Sequence, residues 1–135
     1  MSDPVVTDKY MMNGNKMLHH LDRVEAWRRG DHIAPIHIDA GLSKGSSTKK
    51  SSEKYFPRDA LLQFVRDCGD LGVRSIALIG EAEPLLNPHA YEAIIEGEKA
   101  GVDMSMGTHG ILLDTGSTGE EALENLTWIR FNVNA

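Results

Sequence analysis

At 135 residues the chain has the length of one domain, enough for a real core but short for a large enzyme. Its net charge of −6 argues against a general binder of nucleic acid or of a membrane surface, which are ordinarily basic. The hydrophobic fraction of 41% and charged fraction of 25% are those of an ordinary globular protein, and no apolar run approaches a membrane span.

Met1 to Asn15 is polar and contains glycine, and reads as a flexible N-terminal arm without the apolar stretch of a signal peptide. The single cysteine, Cys68, rules out an internal disulfide and fits a reducing cytosol, so the expected compartment is cytoplasmic. Lys16 to Arg29 places Met17, Leu18, Leu21, Val24 and Trp27 at helical spacing, with Gly30 as a stop. "HIAPIHIDA", His32 to Ala40, reads as a buried strand. After it comes "GLSKGSSTKKSSEKYF", a loop rich in Ser and Lys with almost no apolar content.

Pro57 and Arg58 open a second helix with the stripe Leu61, Leu62, Val65, Cys68 and Leu71, closed by Gly72. On that stripe Cys68 reads as a small core residue. "VRSIALIG", Val73 to Gly80, is the near-continuous apolar run of a strand buried on both faces. Asn87 and Pro88 read as cap and first turn of a helix carrying Tyr91, Ile94 and Ile95 and ended by Gly101. "VDMSMGTHG" reads as a third strand, Gly119 to Leu126 as a short helix, and Trp128 to Val133 as a fourth strand. This alternation predicts an α/β fold of parallel βα units, a partial TIM-type barrel of about four strands preceded by a helix. The sequence stops as the fourth strand ends, so an open edge carrying Ile129, Phe131 and Val133 is expected, with self-association through it.

Ligands of parallel α/β folds bind at the C-terminal ends of the strands. The sequence reading assigns to that rim His37 and Asp39, Glu81 and Glu83, Thr108 and His109, and Asn132 and Asn134. Each alone has a structural reading as a turn cap or a solvated charge; the set of four strand ends points to a small-molecule site. One chemistry for it is metal-dependent hydrolysis, with His37-x-Asp39 on one strand face and Glu81 or His109 completing the ligands. A second is phosphate binding by the Ser/Lys loop, but "GLSKGSS" lacks the Walker spacing. Ser46-x-x-Lys49 matches a Ser–Lys nucleophile only by letter, since that pattern needs a helix starting at the serine. A non-enzymatic interaction domain is a further alternative.

Another reading comes from resemblance. "IALIGEAEPLLNP" (Ile76 to Pro88) resembles the second-strand segment of radical S-adenosylmethionine enzymes, whose loop commonly reads G-G-E-P followed by leucines and a proline. "MGTHGILLD" (Met106 to Asp114) and "LTWIRFNVNA" resemble their third and fourth strands. Lys16, His20, Arg23 and Val24 match the K-x-x-x-H-x-x-R-V that precedes the first strand in one branch. The resemblance implies the N-terminal portion of that family's core, covering Lys16 onward as one truncated domain, 16–135. It implies a scaffold that in complete relatives cleaves S-adenosylmethionine reductively to start radical chemistry. Gly80, Glu81, Ala82 and Glu83 match the loop that holds the cofactor's methionyl amino group, with Ala82 where glycine is usual. Thr108, His109 and Asn132 match cofactor-facing positions.

In the family, the loop after strand one carries C-x-x-x-C-x-x-C, whose thiolates hold a 4Fe–4S cluster. The matching positions here are Ser46, Lys50 and Glu53, and Cys68 is too far along the chain to substitute. A hydroxyl, an ammonium and a carboxylate do not replace three thiolates. The chain is therefore expected to hold no cluster and to be inactive alone.

Overall fold

The computed structural model describes residues 16–44 and 54–133. The arm Met1–Asn15, the cluster-motif positions Ser46, Lys50 and Glu53, and Asn134 lie outside the described residues. The chain divides into two compact units, one ending at Ile33 and one beginning at Ala34.

In the first unit a 3₁₀ turn, Lys16–His20, leads into α1, Leu21–Arg28. The predicted single helix is thus tightened in its first turn. Gly30 closes it at φ +86°, its N–H bonded to Trp27 O. The predicted apolar stripe is not a buried one: Met17, Leu18, Leu21 and Trp27 are all exposed, and α1 buries no residue.

The second unit is the predicted α/β fold. Its strands and helices are β1 (His37–Ala40), β2 (Ser43–Lys44), β3 (Lys54–Tyr55), α2 (Arg58–Asp70), β4 (Ser75–Leu78), α3 (Ala90–Lys99), β5 (Asp103–Thr108), α4 (Ser117–Glu124) and β6 (Leu126–Phe131). β1, β4, β5 and β6 form one parallel sheet in that order, each strand paired with the next in sequence after a helical crossover. This is the arrangement of consecutive βα units in a partial barrel. β2 and β3 form a small antiparallel ribbon at the base of the Ser/Lys loop, and a 3₁₀ turn, Pro84–Leu86, follows β4.

The helix stripes explain how the layers lock together. Leu61, Leu62, Val65 and Cys68 of α2 and Ala90, Ala93, Ile94 and Gly97 of α3 are buried at 3.6-residue spacing. They meet Ile76, Leu78, Met104 and Met106 from the sheet in one core. A Cβ on Gly97 would collide with the Met104 side chain, so the absence of a side chain there lets α3 lie directly on β5. Burial raises the pKa of Cys68, with Asp67 adding to the rise, as expected of an inert core thiol.

Several expectations shift. Leu71 is the cap residue after α2 and is exposed rather than part of the stripe. The first strand begins at His37, not His32, because Pro35 has no N–H to give a ladder and pairing starts only beyond it. The fourth strand begins at Leu126, two residues earlier than expected, and the third helix of this unit starts at Ser117. Of the three residues expected to be exposed there, Phe131 and Val133 are exposed, while Ile129 packs against the core in register with Met106. Trp128 and Arg130 take the opposite face. Among the described residues no helix is long and apolar enough to cross a membrane.

Candidate functional site

The C-terminal ends of the strands are built by the loops after β1, β4, β5 and β6. β1 runs into Gly41 and β4 into Gly80, and these loops meet backbone to backbone. A Cβ on Gly80 would lie 2.7 Å from Gly41 Cα, closer than side chains pack. Only glycine at position 80 keeps the two loops at this distance.

Beyond Gly80 the chain bends through Glu81 and Ala82 to Glu83, whose carboxylate is the organising group of the rim. Glu83 is 6% exposed. Its Oε1 accepts the Thr108 hydroxyl at 2.5 Å and the Leu85 N–H at 3.3 Å, and its Oε2 accepts the His109 N–H at 2.8 Å. The His109 ring follows, Nδ1 lying 3.4 Å from Glu83 Oε2. The Thr108 hydroxyl in turn accepts the Gly110 N–H at 3.0 Å. A buried carboxylate is tolerable only with such a set of donors. The result is a staple that fixes the loop after β4 to the end of β5. Asn132 N–H donates to Thr108 O at 2.8 Å, continuing the β5–β6 pairing one step past the strand. Glu81 and His109 are exposed, and Asn132 and Ala82 are half-buried.

Of the predicted rim residues, the structure thus brings together Gly80, Glu81, Ala82, Glu83, Thr108, His109 and Asn132. It does not bring His37 and Asp39 to them. His37 is the first residue of β1, paired with Ser75 at the start of β4, and Asp39 sits opposite Ala77 in mid-sheet. His37 thus lies at the end of the sheet away from the rim, because the strand begins late, and Asp39 lies in mid-sheet. The metal reading built on His37, Asp39, Glu81 and His109 therefore loses its geometry. Among the described residues no group of three or more His, Cys, Asp or Glu side chains could hold a metal ion. Cys68 faces the core and cannot stand in for a cluster thiolate.

Sequence reasoning missed the role of Asn87. It is not the cap of α3, whose N-cap is His89. Buried to 2% exposure, it donates from Nδ2 to Leu42 O at 3.1 Å and Phe56 O at 3.0 Å, the two ends of the Ser/Lys loop. Its Oδ1 accepts the His89 N–H at 2.9 Å. With the Phe56 N–H bonded to Leu42 O at 2.9 Å, this closes the loop's base. An asparagine just before a helix gives no sequence signal that separates this clasp from a cap.

No known protein family matches the sequence, and no curated protein does. The fold is similar to that of Streptococcus suis SuiB, solved bound to S-adenosylmethionine, with a TM-score of 0.58 and 18% identity. The match covers 95% of this chain and 30% of SuiB, so the chain spans about a third of that protein's length.

Proposed function

We propose that this protein is a radical S-adenosylmethionine-like scaffold whose rim binds S-adenosylmethionine, or a nucleoside or amino-acid portion of it, without cleaving it. The observation that carries this reading is the Glu83 staple. The loop that resembles the family's cofactor-binding segment is locked to the end of β5 by Thr108 and His109. The similarity of fold to a protein solved with S-adenosylmethionine supports it.

The residues present fit such a ligand. Gly41 and Gly80 leave bare backbone at the mouth of the first two βα units, and small residues there allow close approach of a ligand. Glu83 keeps a carboxylate at the rim, but its oxygens are engaged by the chain's own donors. Its role is to shape the loop, and Glu81, which is exposed, is the carboxylate we assign to a ligand ammonium. His109 and Asn132 supply polar edges on the next two strands.

The residues do not fit a 4Fe–4S cluster. Ser46, Lys50 and Glu53 offer no thiolate at the matching positions, and Cys68 is in the core. Bound S-adenosylmethionine would bring a sulfonium, but its reductive cleavage requires an electron that this chain has no centre to deliver.

Titration calorimetry with S-adenosylmethionine should show saturable binding with a Kd tighter than about 1 mM, at least about −4 kcal/mol. Glu81→Ala should weaken it. After anaerobic incubation with iron and sulfide, the chain should bind no stoichiometric iron and form no 5′-deoxyadenosine with dithionite. Absence of binding at millimolar ligand would refute the site, and bound iron would refute the cluster-free reading.

A further inference from the structure

From the start of β1 and β4 to mid-sheet, three side chains make a connected line that neither the fold nor the proposed site uses. His37 Nδ1 lies 2.7 Å from Ser75 Oγ, and His37 Nε2 lies 3.0 Å from Asp39 Oδ1. The register brings them together. His37 pairs with Ser75 across β1 and β4, and Asp39 follows two residues on, which places it on the same side of the strand. That side is the one away from the helices: α3 packs on Met104, Met104 pairs with Ile76, and Ser75 alternates with Ile76. Ser75 is half-buried, neither sealed in the core nor fully open.

The direction of the hydrogen bonds follows from what each group can do. An ionised carboxylate only accepts, so a neutral imidazole beside Asp39 carries its proton on Nε2. Nδ1 then presents a lone pair to the Ser75 hydroxyl. This is the order of groups in an acyl-transfer triad, with the two ring nitrogens exchanged. We propose that Ser75 is a nucleophilic serine, activated by His37 as general base and Asp39 as its orienting carboxylate, that accepts small acyl groups from activated esters.

The step balances without a further reagent. Ser75 Oγ attacks the ester carbonyl carbon, its proton passes to His37 Nδ1, and Asp39 offsets the imidazolium charge. The acyl–oxygen bond to the leaving group breaks and His37 returns the proton to the departing oxygen. Water then attacks the acyl-serine, giving the carboxylic acid and restoring the hydroxyl. The structure also limits the chemistry. The amide N–H groups of Arg74 and Ser75 both donate to Ile36 O, at 2.9 and 3.3 Å, so the serine's own N–H is not aimed at an oxyanion. The Asp39 side chain is 68% exposed, which screens its charge. Esters with good leaving groups are therefore the substrate class.

The full chain, treated with p-nitrophenyl acetate and mapped by peptide mass spectrometry, should carry acetyl on Ser75, and Ser75→Ala should lose it. His37→Gln should slow acetylation of that residue by about a hundredfold, the low end of general-base effects, and Asp39→Asn by about tenfold. Because Asp39 is exposed, its variant folds, so that result does not depend on the stability of the His37 variant. No acetyl on Ser75, or an unchanged rate at Ser75 in either variant, would overturn the proposal.

Discussion

A single methyl group separates two outcomes at the rim. Placed on Gly80, it would fall 2.7 Å from the Cα of Gly41, a backbone atom that cannot rotate away. Placed on Gly41, it would lie 3.6 Å from Gly80 Cα, ordinary van der Waals contact. Gly80→Ala should thus destabilise the chain by about 1–3 kcal/mol, the cost of overpacking against rigid structure, while Gly41→Ala should change stability by less than half as much. Urea unfolding of the two variants checks this, and equal losses would mean that the loops part freely. At this scale the placement of polar groups at the strand ends was legible. Glu83, Thr108 and His109 were picked out because polar groups at the ends of apolar strands have no core role. What was not legible was partnership. Glu83 spends its carboxylate on Thr108 and His109 rather than presenting it outward, and Asn87 spans two carbonyls far away in sequence. Such bonds are set by tertiary placement, on which neighbouring residue types are silent. His37 opens β1 instead of ending it, and Asp39 stops short of the rim in mid-sheet, because apolar character continues through "HIAPI" whereas strand pairing waits until Pro35 is passed.

Between elements, α2 and α3 are joined outside the core by ion pairs. Arg58 pairs with Glu92, and Arg66 Nε donates to Glu96 at 2.7 Å. His89, at the start of α3, adds a second contact to Glu92 at 3.1 Å. The hydrogen bond from Arg58, then that from His89, lowers the pKa of Glu92 below its ordinary value of 4.5. A carboxylate whose folded pKa is depressed stabilises the fold above its unfolded pKa, and loses that contribution as pH falls through the folded value. The stability difference between the wild-type chain and Glu92→Gln should therefore hold steady from neutral pH to about pH 5, then shrink toward pH 3. Urea midpoints across that range test it, and a difference that grows on acidification would contradict the pairing. The side chain is about a third exposed, so the difference is small and further reduced by salt. The stripes of α2 and α3 were readable because four buried positions each repeat at the helical period. The same spacing misled at Lys16–Arg29. Periodicity tells which residues share a face, and only a packed neighbour makes that face a buried one.

For the molecule as a whole, the core has a definite extent. Among the described residues its buried apolar members run from Leu42 to Ala122, and the partly buried ones packed against it from Ala34 to Ile129. α1 contributes no buried residue, and Met17, Leu18, Leu21 and Trp27 are 59 to 65% exposed. Burial of apolar surface is the dominant favourable term in folding, and the unit beginning at Ala34 holds the core described above. It also contains the whole rim, Gly41 through Asn132, and the Ser75–His37–Asp39 line. A chain of residues 34–135 should therefore fold cooperatively and keep an unfolding free energy within about 0.5 kcal/mol of the full protein, the range of changes that touch no buried group. It should retain whatever affinity the full chain has for S-adenosylmethionine. Far-UV circular dichroism during urea unfolding reads the first expectation, and calorimetry reads the second. Trp27 is absent from the shortened chain, so its fluorescence change on unfolding comes from the half-buried Trp128 on β6 alone and reports the sheet directly. A broad, non-cooperative transition would mean that the N-terminal unit completes the fold. Intact folding with lost ligand affinity would instead assign that unit to the site.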